Sequence, residues 1–130
     1  MTQEDKDLLL KDLCARLPYG VIMTNRELPA THYPLTCEDL HDAMFDDDWD
    51  DVPYLRPMSS MTEEEHNEWF NYYHEIELKE AKLTGDYLKA AILGESASID
   101  WLNKNMFDYR GLIEKGLAIE VTENNNPYKD

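Results

Sequence analysis

Apolar residues recur along the chain as short helical stripes separated by strong punctuation. Leu9, Leu10, Leu13, Cys14 and Leu17 fall at helical spacing behind Thr2 and Asp5, which predict the helix start, and Pro18 and Gly20 stop the run. Residues 21–24 are β-prone, and residues 25–35, with Pro29 and Pro34, read as a loop. Thr36 and Asp39 open a second short helix with Cys37, Leu40 and Met44 on one side. Residues 52–56 predict an edge strand, because Pro53 has no N–H to give a central ladder.

The longest pattern starts at Thr62. Its spacing to Glu65 makes a capping box, and Glu63 and Glu64 suit the positive end of a helix dipole. Trp69, Tyr72, Tyr73, Ile76 and Leu83 form a stripe running to Gly85, which predicts that the aromatic members are core. Residues 86–93 continue as helix to Gly94 through Leu88, Ala91 and Ile92, and Ser98 starts another through Trp101, Leu102 and Met106. Asp108 caps a further helical turn over 109–115 that Gly116 ends, 117–121 is a strand, and 123–130 reads as a frayed tail. The expected fold is a single α+β domain over residues 1–122, mostly helical, with a small sheet of short strands.

Charge changes this picture. The chain of 130 residues carries a formal net charge of −16. Between residues 38 and 68, twelve carboxylates face only Arg56, so −11 of that total sits in this stretch. A phosphate backbone is held by Lys and Arg, so nucleic acid and anionic membrane are excluded as direct partners, and a basic protein partner is favoured. Asp46, Asp47, Asp48, Trp49, Asp50 and Asp51 form the densest part and are the candidate partner-binding residues. Trp49 has two readings, a binding anchor among carboxylates or a ring that tucks the loop against the body.

Cys14 and Cys37 share no metal-type spacing, and both are expected as buried free thiols on apolar helix faces. The N-terminal leucines are interleaved with Glu4, Asp5, Asp7 and Asp12, unlike a signal peptide, and no apolar run approaches a membrane span. The expected compartment is the cytoplasm.

Candidate chemistry is sparse. Asp46, Asp48 and Asp50 match positions 1, 3 and 5 of an EF-hand loop, but Asp51 stands where Gly is needed and Pro57 where Glu is needed. Glu38 with His41, and Glu63 with His66, have the i, i+3 spacing of di-iron ligands, yet both pairs sit in first turns where Glu serves the helix dipole. His66 and His74 are too far apart for one ion, and His32 lies between prolines. No phosphate loop, Gly-x-Ser-x-Gly or reactive-cysteine context occurs, so neither a catalytic residue nor a cofactor is expected.

Four stretches resemble a family of short uncharacterised proteins of gut Bacteroidales genomes and their phages and prophages. They are MTQEDKDLLLKDLCARLPYGV (1–21), PYLRPMSSMTEEE (53–65), DWLN (100–103) and FDYRGLIEKGLAIE (107–120). The resemblance implies an accessory protein of a mobile element, with shared ends and a variable middle, and it brings no activity, cofactor or site residue. The expected function is a non-enzymatic interaction module that meets a basic partner through its acidic centre. The alternatives are a DNA mimic, in which fixed carboxylates imitate phosphates, and a metal protein or enzyme.

Overall fold

The computed structural model describes residues 1–129, with side chains at all but 28–30; residue 130 of the expected tail lies outside them. The class is the expected one: four α-helices accompany a small mixed sheet of short strands. The chain gathers into two compact units, residues 1–58 with 106 onward, and residues 59–105.

In the first unit, α1 (Gln3–Arg16) starts where Thr2 Oγ1 accepts from the Asp5 N–H at 3.1 Å. It ends in a 3₁₀ turn at Pro18, closed by Gly20 at φ 76°, a left-handed value that glycine adopts without a Cβ clash. Leu9 and Leu13 turn inward and are fully buried, while Cys14 is exposed. Cys37 is exposed as well, so neither thiol is the buried residue its helical spacing suggested. In α2 (Cys37–Phe45) the inward positions are Leu40 and Ala43, and Met44 faces out.

The sheet corrects two expectations that rested on proline. β1 (Ile22–Asn25) pairs antiparallel with β2 (Leu28–Pro34), the segment expected as a loop. β2 is the sheet edge and Pro34 is its last residue, where a missing N–H costs no ladder bond. β3 (Val52–Pro57), expected at an edge because of Pro53, is the central strand. It pairs antiparallel with β1, and in parallel with β4 (Phe107–Asp108) and β5 (Ile119–Glu120). Leu55 O accepts from the Val121 N–H at 2.8 Å, so Leu55 turns its peptide groups toward β5. Pro53, two residues earlier, faces the same way just before that ladder begins at Tyr54.

Leu9, Leu13, Val21, Met23, Leu55 and Leu112 form the heart of the core. Two arginine-linked groups sit beside it. Asp12 and Arg16, both fully buried, form a two-bond ion pair, and Arg16 Nη2 also donates to Phe107 O at 2.6 Å. Arg110 reaches the same Asp12 at 3.2 Å and lies over the Tyr109 ring. Asp108 caps as expected, its two oxygens accepting from Leu112 N and Ile113 N at 2.9 Å each, but residues 109–115 form turns and not a helix. The tail expected to fray is held by Tyr128, which packs on the core; its hydroxyl donates to Tyr54 O and accepts from Ile22 N.

The second unit is a helical hairpin. α3 (Glu63–Thr84) begins with the predicted Thr62–Glu65 capping box and ends at Gly85, φ 69°. α4 (Tyr87–Lys104), capped by Asp86, runs unbroken through Gly94 and Ser98, where two helices were expected. The reason is packing: Ala90, Gly94 and Ala97 are buried, and a Cβ at Gly94 would lie 2.9 Å from Glu77 Oε2. The glycine thus admits close helix approach and does not end the helix. Trp69 anchors the hairpin, its indole N–H donating to Ser98 O and Oγ at 3.2 and 3.0 Å, while Tyr72 and Leu83 of the expected core stripe are exposed.

Candidate functional site

The acidic run begins where α2 ends. Asp46 takes a β-region conformation, which breaks the helix, and its backbone N–H still bonds Asp42 O at 2.9 Å. Asp46 Oδ1 then accepts from the Asp48 N–H at 2.9 Å, an Asx turn that fixes the loop by local bonding. Lys6 Nζ donates to Asp46 O at 2.9 Å, tying the same point to α1. Trp49 is half-buried and packs on the core, which selects the tucked reading of this residue for most of its surface.

Asp51 closes the loop into β3 and is the most committed carboxylate of the run. Its Oδ2 accepts from the Tyr33 hydroxyl at 2.5 Å and its Oδ1 from Asn25 Nδ2 at 3.0 Å. Burial first, then the hydrogen bond to Asp51 and its charge, push the Tyr33 phenol well above its usual pKa. Tyr33 is therefore a neutral donor, and its ring is locked at the end of β2.

These elements border an open cleft of about 530 Å³ lined by Tyr33, Asp39, His41, Asp42, Phe45, Asp46, Trp49 and Asp51. Four aspartates, the His41 imidazole and the rings of Tyr33, Phe45 and Trp49 line it, with no Lys or Arg among them. The structure brings Asp46, Trp49 and Asp51 of the expected site together and leaves Asp47, Asp48 and Asp50 outside the lining. Asp50 lines a second cavity of about 360 Å³ with Met1, Asp5, Arg26 and Lys115, where acidic and basic groups are mixed.

Five lining residues lie before the run: Tyr33, Asp39, His41, Asp42 and Phe45. Tyr33 was hidden in the segment read as a loop. Phe45 carried a usable signal: it is apolar, directly precedes the carboxylates, and lies off the Leu40–Ala43 face of its helix. It is 75% exposed, with the His41 ring tilted against it at 4.8 Å.

Among the described residues, no three His, Cys, Asp or Glu side chains gather as a metal site needs, and no helix is long and apolar enough to cross a membrane. No protein-family model, curated protein or solved structure matches this chain.

Proposed function

We propose that the chain is a non-enzymatic interaction module that binds a basic protein partner through the acidic surface around α2 and the 46–51 loop. The observation that carries this reading is the cleft itself, where Asp39, Asp42, Asp46 and Asp51 converge without a lining cation. Such a surface attracts and orients a positively charged partner, and its field speeds their encounter. The rings beside the carboxylates add apolar contact area, which charge alone does not supply. The setting, an accessory protein of a mobile element, rests on the four sequence stretches named above. A concave cleft favours an inserted partner side chain over imitation of a duplex, whose phosphates lie on a convex surface.

The test is affinity capture from the native host with the parent and with an Asp42→Asn, Asp47→Asn, Asp48→Asn variant, whose three changes leave the Asp51 and Asp46 bonds in place. The expected result is a basic protein captured by the parent and lost with the variant, and lost from the parent at high salt. A partner retained equally by both proteins places the binding surface elsewhere.

A further inference from the structure

We propose that the cleft between α2, the end of β2 and the 46–51 loop takes the guanidinium side chain of an arginine, a site that deepens and rests on the basic-partner reading above. Asp42 and Phe45 stand at i and i+3 on α2, which places their side chains next to one another on the helix surface. Both line the cleft. A guanidinium can therefore fork onto the Asp42 carboxylate while its plane lies against the Phe45 ring.

The other carboxylates of the cleft already have work within the protein. Asp39 is the far half of the α2 capping box, accepting from Thr36 N at 3.0 Å. Asp46 holds the Asp48 N–H, and Asp51 holds Tyr33 and Asn25. Asp42 makes no side-chain hydrogen bond to a described residue and so keeps both oxygens for a ligand. The three occupied carboxylates still contribute negative potential at the same place.

The aromatic groups decide between cations. Phe45 stays in water although its helix has a buried face available, and His41 steadies its ring at 4.8 Å. Tyr33 is held by Asp51 and Trp49 by the core, so the remaining rings are fixed before any ligand arrives. An ammonium is a compact, strongly hydrated point charge, whereas a guanidinium is planar, weakly hydrated and stacks on rings. The volume of about 530 Å³ falls within the range of small ligand sites.

The experiment titrates the protein with three nine-residue peptides of Gly and Ser carrying three Arg, three Lys or three citrulline residues, followed by NMR or calorimetry. The Arg peptide is expected to bind about tenfold more tightly than the Lys peptide, with the uncharged citrulline peptide showing no binding. Phe45→Ala, a change at an exposed ring, is expected to remove most of the Arg advantage and leave Lys binding nearly unchanged. Asp42→Asn should weaken Arg binding more than Lys binding. Equal Arg and Lys affinities, or an equal loss of both in Phe45→Ala, overturn the arginine site while leaving the acidic surface as a general attractor of basic partners. No binding of either charged peptide overturns both readings.

Discussion

Arg16 and Asp12 face one another one helical turn apart, joined at 2.8 and 3.1 Å with neither side chain exposed to water. The pair is the polar hub of the first unit, since Arg16 also binds Phe107 O in β4 and Asp12 also receives Arg110. Removing Arg16 leaves the buried Asp12 with Arg110 as its one remaining cation and takes the Arg16 donor from Phe107 O. Arg16→Met is therefore expected to cost about 3–5 kcal/mol, read as a lower urea midpoint. The loss should persist at high salt, because buried charges are little screened. A loss under about 1 kcal/mol would show that Arg110 alone satisfies Asp12.

Thr62→Ala tests the start of the long helix. Thr62 Oγ1 accepts from the Glu65 N–H at 3.1 Å, and Glu65 Oε1 accepts from the Thr62 N–H at the same distance. Loss of such a cap costs about 1 kcal/mol. Urea unfolding followed at the helical signal should show that decrease, and Thr62→Ser should restore it.

Gly94→Leu probes the closest point of the hairpin. A helix gains about 1 kcal/mol when glycine is replaced by a good helix former. Here a side chain would also strike Glu77, whose Cβ would sit 3.1 Å from the new Cβ. The clash should dominate, giving a net destabilisation of about 2 kcal/mol, within the usual range for overpacking. Raised thermal stability would show that α3 moves aside freely.

Tyr128 gives the fold an alkaline limit. Burial pushes its phenol from 10.0 up to about 12. The folded state thus holds this proton more tightly than the unfolded chain. The associated stability is fully present below pH 10 and is lost as pH rises through about 12. Tyr33, also raised, acts in the same direction. Tyr128→Phe should lower stability by about 1–3 kcal/mol at pH 8, since Ile22 N and Tyr54 O lose their shared partner. It should also flatten the decline between pH 10 and 12. Parallel declines in parent and variant would assign the alkaline loss to other groups.

Local rules made much of this fold legible. The two capping boxes, the stops at Gly20 and Gly85 and the anchoring role of Asp108 follow from short-range hydrogen bonding, which sequence records directly. What escaped depends on partners distant in the chain. Pro53 occupies a central strand because its missing N–H falls before a ladder formed with residues 119–120. Gly94 lies inside a helix because a side chain there would strike Glu77 of the neighbouring helix. Asp12 and Arg16 look like solvated helix charges until Phe107 is brought beside them. The candidate site was legible in half: the acidic run marked its rim, while Tyr33, Asp42 and Phe45 come from segments read for other purposes.

The pairing of Arg56 with Phe107 and of Pro57 with Asp108 sets the end of β3 beside the start of β4. Residues 59–105 therefore leave and rejoin the sheet at a single doorway. A segment inserted between two paired residues changes in length without changing which residues those strands pair. Extra residues at its tip, Thr84–Gly85, would lengthen the hairpin and add nothing to the ladder between β3 and β4. Every strand pairing of the sheet thus lies outside residues 59–105, so length variation within them leaves the ladder's own partners in place.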